Sequence, residues 1–249
     1  MKIIRPYKIK LAPTLDEHWY EVFLRRKSLG IFPSSSTITK AYPQSAFLTK
    51  WIADEGWDNA QKKKEAGGAR GTAVHKGIDA LIGGEELSFV PGWLFHAINR
   101  SFTLDEWSRL NAWLKWYNDY SRPEIIASEM PIFSKKYGYA GTLDRIYRID
   151  NKYVLYDDKT SGTIYDHFKL QIASYANAVE EMTDIEISEI AVLQLGAKNK
   201  NNYRVALYPD WRDHFQAFLN VFETWKYDRG YNEEGFKPPV LDLPEILKL

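Results

Sequence analysis

The sequence predicts a mixed α/β fold: a central mixed β-sheet flanked by helices, with a helical portion ahead of it. Two observations carry this. Helical periodicity dominates from about residue 40 to 120, and β-rich segments separated by turn residues take over from about 124. A helix, a strand pair and a last helix then follow, an order that suits a mixed layered sheet rather than a regular βαβ alternation. The chain reads as a single domain over 1–249, with a helical portion at about 40–120, a sheet core at about 124–230 and a Pro-rich tail at 231–249.

The first forty residues read as short strands and turns ending in a loop, Pro33-Ser34-Ser35-Ser36-Thr37. Ser45 to Gly56 has helical spacing in Phe47, Leu48, Trp51 and Ile52, with Ser45 placed to cap it. Gln61 to Glu65 is charged throughout, most simply a solvated helix face, and Gly67-Gly68 predicts a break. From Arg70, the residues Ala73, Gly77, Ile78, Leu81 and Ile82 form a helical stripe that Gly83-Gly84 closes. Thr103 and Glu106 form a capping box for a helix to about Tyr120. Its inward face is predicted to be Trp107, Leu110, Leu114 and Tyr117, which leaves Trp113 and Trp116 as candidates for stacking on nucleic-acid bases.

Glu124–Phe133, Tyr139–Ile149 and Lys152–Asp158 then read as a three-stranded meander with turns at 134–138 and Asp150-Asn151. A helix is predicted from about Asp166 to Met182, buried through Phe168, Ile172, Tyr175, Ala176 and Val179. Strands at Glu189–Leu195 and Tyr203–Tyr208 precede a helix that begins after Pro209 and buries Phe215, Phe218, Leu219, Phe222 and Trp225.

The composition is that of a globular chain: 45% hydrophobic, 27% charged, with 33 basic and 33 acidic residues. No apolar run reaches the roughly 18 residues of a membrane span, and the first twelve residues lack a signal-peptide core. We therefore expect no membrane partner and a cytoplasmic location, or the host-cell cytoplasm if the source is viral. The absence of cysteine rules out disulfide scaffolds, thiol nucleophiles and iron–sulfur clusters. With zero net charge, a polyanion would have to be held by a local basic surface or by metal ions.

The chemistry concentrates in Gly141-Thr142-Leu143-Asp144 and Tyr156-Asp157-Asp158-Lys159-Thr160-Ser161. Alternation puts Asp157 and Lys159 on one strand face and Asp158 on the other. A turn at Asp150-Asn151 sets Asp144 across from Asp157. Two carboxylates and an ammonium at a strand end suit a divalent cation beside an anion. On spacing alone, a surface ion-pair ladder accounts for the pattern equally well.

These residues resemble the PD-(D/E)XK nucleases, in particular the RecB-type nuclease domain and the mitochondrial genome maintenance exonuclease. Asp144 matches the first acidic motif, Asp157-Asp158-Lys159-Thr160-Ser161 the D-x-K-T-S motif, Gln171 and Tyr175 the Q-x-x-x-Y helix, and Gly71 to His75 the G-x-x-x-H motif. Pro33 to Trp51 is similar to the family's lead-in. The motifs stand in family order over about residues 70–180.

The resemblance implies a restriction-endonuclease-like core and one or two Mg2+ or Mn2+ ions held by His75, Asp144, Asp157 and the backbone carbonyl of Asp158. It implies that Lys159 positions or activates the attacking water, and that Gln171 and Tyr175 hold Lys159 or the scissile strand. Glu129 and Asp79 are accessory candidates, the latter standing where relatives carry Glu. Arg70, Thr160 and Ser161 are candidate substrate contacts. The activity implied is a sequence-nonspecific exonuclease on single-stranded DNA or DNA ends, in replication, recombination or repair, with a replication or recombination protein as a possible partner. A structure-specific endonuclease on the same fold and a non-catalytic DNA-end-binding module are the alternatives.

Overall fold

The computed structural model describes residues 6–15, 17–90, 93–231 and 237–241. Three strands, β1 (Lys8–Ala12), β2 (Trp19–Leu24) and β3 (Lys27–Pro33), pair antiparallel in chain order as a small sheet. The segment expected to be a loop is a helical turn, α1 (Ser35–Ile38), because the Ser34 hydroxyl accepts the Thr37 amide and caps it. A 3-10 turn (Thr39–Ala41) and α2 (Ala46–Glu55) follow, and Ser45 caps α2 by accepting the Leu48 amide.

The predicted break at Gly67-Gly68 is absent. Helix α3 runs unbroken over Trp57–Ile82. Glycine in a helix interior costs about 1 kcal/mol relative to alanine, and α3 absorbs that cost because its second half is anchored by buried Ala73, Val74, Gly77 and Ile78. Gly77 lies so close to α4 (Leu104–Asp119) that a Cβ there would meet Leu110 Cδ2 at 2.8 Å.

The capping box of α4 forms as expected, and Arg100 clamps the buried Glu106 with bonds of 2.7 and 2.8 Å. Its inward face differs from the expectation. Trp113 and Trp116 are buried with Leu110, whereas Leu114 is exposed and Trp107 and Tyr117 are half-buried. Helix α4 is thus rotated so that its large indoles fill the core, and neither tryptophan presents a face to a base.

The main sheet has the order β4-β5-β6-β7-β8. Strands β4 (Glu124–Ser134), β5 (Tyr139–Ile149) and β6 (Lys152–Lys159) form the expected antiparallel meander. Helix α5 (Asp166–Met182) crosses over to β7 (Ile187–Leu195), which pairs parallel with β6, and β8 (Tyr203–Tyr208) returns antiparallel. The sheet is therefore mixed.

Helix α6 (Trp211–Arg229) ends at Gly230, whose φ of 58° is the left-handed C-cap that glycine adopts without penalty. One face of the sheet packs on α3 and α4 through Tyr147, Val154, Tyr156, Ala191 and Leu193. The other packs on α5, α6 and the small sheet through Leu143, Ile146, Leu155, Ile190 and Val192.

Of the Pro-rich tail, Tyr231 and 237–241 are described, with the Leu241 amide on the Pro13 carbonyl at 2.8 Å; 232–236 and 242–249 lie outside the described residues. No helix among the described residues is long and apolar enough to cross a membrane.

Candidate metal and catalytic site

Asp150 and Asn151 both take left-handed backbone (φ 48° and 62°), the conformation of a two-residue type I′ hairpin turn. That turn sets the register Ile149↔Lys152 through Arg145↔Tyr156. The paired positions end there, and just beyond them Asp144 Oδ2 accepts the Asp158 amide at 2.7 Å. A loop elsewhere thus decides which carboxylates meet.

Alternation along β6 divides its acidic end between the two sheet faces. Val154 and Tyr156 face α3 and α4, so Asp158 points that way too, whereas Leu155 faces α5 and leads to Asp157 and Lys159. On the α5 side, Lys159 Nζ lies 2.6 Å from Asp157 Oδ2 and 4.8 Å from the centre of the Phe168 ring. On the α3 side, the fully buried Arg145 guanidinium joins the Asp158 carboxylate to Asp79, the latter at 2.9 Å. Ser128 donates to the same Asp79 oxygen at 2.9 Å. Asp79 therefore serves Arg145 and Ser128, and no hydrogen bond or ion pair joins it to His75 among the described residues.

His75 comes from the buried half of α3. Its Nε2 is 2.9 Å from the Asp158 carbonyl, and its Nδ1 is 3.4 Å from Glu129 and 3.7 Å from Asp144. A carbonyl oxygen only accepts, so Nε2 carries the proton and Nδ1 is left facing the two carboxylates. This engages the Asp158 carbonyl as the group that orients the imidazole, in the way metal-binding histidines are commonly fixed.

Glu129 sits in β4 between the pairs Ser128↔Arg145 and Met130↔Leu143 with a φ of 45°. A left-handed non-glycine residue costs on the order of 1 kcal/mol and commonly marks a functional site. Together, His75, Glu129 and Asp144 offer one ligand atom each, all within 4.8 Å of one another.

The charges agree with this grouping. Burial alone would lower the His75 pKa, but Asp144 and Glu129 hold it up at about 9. Burial pushes Asp157 up to about 7 against the pull of Lys159, and raises Asp158 against the pull of Arg145. Lys159, which burial would discharge, is kept cationic by Asp157 and Asp144. Asp158 Oδ1 is buried with no hydrogen-bond partner among the described residues. The site thus gathers five carboxylates, Asp79, Glu129, Asp144, Asp157 and Asp158, around the cations His75, Arg145 and Lys159, with burial disfavouring the charged form of Asp157 and Asp158. Two carboxylates and an imidazole make a donor set that fits a metal ion.

Gln171 and Tyr175, one turn apart on α5, bond to each other at 2.6 Å, and burial raises Tyr175 well above the usual phenol range. Tyr175 explains Gly141. A Cβ there would meet Tyr175 Cε1 at 2.6 Å, so only glycine admits the ring. The Ser34–Ser36 segment supports α5 from behind, Ser174 Oγ donating to Ser35 Oγ at 2.7 Å.

Of the candidate substrate contacts, Arg70 donates to the Thr160 carbonyl at 3.2 Å and lies 3.6 Å from Asp105. Thr160 is buried, and Ser161 Oγ donates to the Thr163 carbonyl at 2.7 Å. These interactions shape the loop after β6.

Sequence reasoning missed Arg145 and Tyr20. A buried Asp158 requires a cation, and the hairpin register already places Arg145 on its face, so that signal was present. Tyr20, whose hydroxyl lies 3.1 Å from Thr142 Oγ1, arrives from a separate sheet 122 positions away and left no local trace.

No family model matches the chain, and no curated protein does. Among solved structures it is similar to the crystal structure of a protein from Eubacterium rectale bearing the name "Putative exonuclease". The TM-score is 0.36 at 12% identity, over 83% of this chain and 77% of that one.

Proposed function

We propose that this chain is a metal-dependent nuclease of the PD-(D/E)XK type, acting as an exonuclease on single-stranded DNA or DNA ends. The observation that carries this reading is the convergence of His75, Glu129 and Asp144 within 4.8 Å, one strand from the Asp157–Lys159 pair. A Mg2+ or Mn2+ ion bound there supplies Lewis-acid chemistry, polarising a phosphate and acidifying a water.

The rest of the work belongs to side chains. His75, with its Nε2–H on the Asp158 carbonyl, presents Nδ1 as a ligand. Lys159 is fixed by Asp157 on one side and by the Phe168 ring on the other. In that position it orients the attacking water and offsets negative charge developing on the phosphorus oxygens. Gln171 and Tyr175 line the same face of the sheet and hold Lys159 or the scissile strand in place. Water adds to phosphorus, the P–O bond to one sugar breaks, and that oxygen leaves with a proton.

The test compares wild type with Lys159→Ala on linear single strands labelled at either end and on a covalently closed circle, with Mn2+ and with EDTA. We expect metal-dependent loss of the linear strands only, abolished in the variant. Cutting of the circle would make it an endonuclease, and binding without cleavage would leave an end-binding module.

A further inference from the structure

A cavity of about 420 Å3 opens between the 3-10 turn, the start of α2, α3 and the start of α5. That volume falls within the roughly 300–1,000 Å3 of small-ligand sites. Its wall combines the cations Lys40 and Lys64, the hydroxyls of Ser36, Thr39 and Ser45, and the rings of Tyr42 and His167. The one carboxylate on the wall, Asp166, is paired with Lys169 at 3.0 Å, and Lys40 acts on Glu17, so Lys64 is the cation that sets the sign of the wall. Thr39 Oγ1 donates to the Ser36 carbonyl and Ser36 Oγ to Ser34 Oγ, so the Ser45 hydroxyl is the donor left for a ligand. With the Lys64 ammonium and the aromatic faces it suits a nucleotide, whose phosphate takes the first two and whose base takes the third.

Position makes this specific. The His167 ring packs on Phe168 at 4.7 Å, and Lys159 Nζ sits over the same Phe168 ring at 4.8 Å. A single aromatic ring therefore separates the cavity from the catalytic lysine.

We infer that this cavity is a nucleotide subsite, holding a residue of the DNA strand that flanks the bond being cut. The inference rests on reading the chain as a nuclease and adds a substrate contact that the motif residues do not include. A strand seated in both places crosses Phe168, so the subsite fills only when the oligonucleotide is long enough to reach it. Affinity should then rise in a step with length rather than smoothly.

The experiment measures binding by fluorescence anisotropy, using end-labelled dinucleotide, trinucleotide, tetranucleotide and hexanucleotide DNA. Ca2+ replaces Mn2+, and each probe is checked for integrity after titration. Wild type is compared with Lys64→Glu, which changes a cavity wall, and with Lys62→Glu, which makes the same charge change on the same exposed stretch of α3 outside the cavity.

The expected result is a step of about tenfold in Kd, equivalent to roughly 1.4 kcal/mol. Lys64→Glu removes the step and Lys62→Glu keeps it. A smooth rise in wild type, or equal losses in the two variants, overturns the subsite. Cleavage of the dinucleotide by wild type in Mn2+ is scored separately. Cleavage of the hexanucleotide is scored in the same way, and its absence, not that of the dinucleotide, counts against the nuclease reading, while the length step still decides the subsite.

Discussion

Metal binding at this site should release a proton, and the amount can be worked from the structure. The perturbation is the addition of Mn2+ at pH 8. His75 is held at about 9 by Asp144 and Glu129, so about nine-tenths of the molecules carry the proton that must leave before Nδ1 can coordinate. Asp157, at about 7, is already about nine-tenths ionised and contributes only about a tenth of a proton. A group held above its ordinary pKa competes with the metal most at acid pH. Affinity for Mn2+ should therefore climb about tenfold per pH unit between about 7 and 8.5, and level off above 9. Titration calorimetry in two buffers of different ionisation enthalpy counts the protons directly. The expected count is close to one for wild type at pH 8, and well below that for His75→Ala. Tight Mn2+ binding by wild type with no proton released would remove His75 from the ligand set.

Other substitutions separate packing from chemistry. Gly141→Ala drives a Cβ into Tyr175 Cε1 at 2.6 Å; it should cost about 1–3 kcal/mol and lower turnover far more than Mn2+ affinity, read by urea unfolding beside a cleavage assay. Trp113→Ala empties a buried site and should cost about 3–5 kcal/mol, with unchanged affinity for single-stranded DNA in whatever fraction remains folded. Gly68→Ala, exposed in α3 with nothing within 4 Å of the added Cβ, should stabilise by about 0.5–1 kcal/mol, seen as a higher denaturant midpoint. Nothing in the described structure calls for glycine at that position.

Much of the sheet was legible because its elements obey local rules. The bounds of β5, α5 and β8 follow from period and punctuation alone, and Asp150-Asn151 fixes the register that brings Asp144 to the acidic end of β6. Where reading failed, tertiary packing decided. Periodicity cannot say which of two apolar stripes on α4 turns inward, and the sheet face chose the one carrying Trp113 and Trp116. Gly67-Gly68 looked like a break because local propensity ignores the anchoring of α3 further along.

The site divides in the same way. Asp144, Asp157, Lys159, Gln171 and Tyr175 sit on regular elements, where alternation or the helical turn fixes their neighbours. Glu129 does not. Its strand placement predicts only a solvated carboxylate, and what turns it toward His75 and Asp144 is a left-handed backbone that no local preference favours. Strain of on the order of 1 kcal/mol survives at one residue only if the surroundings over-determine it. Here the Ser128↔Arg145 and Met130↔Leu143 pairs pin β4 on either side. Arg145, fully buried and bonded to Asp79 and Asp158, anchors the strand facing Glu129. The ligand group is therefore held by contacts from three separate elements, α3, β4 and β5, and no stretch of sequence read by itself contains it.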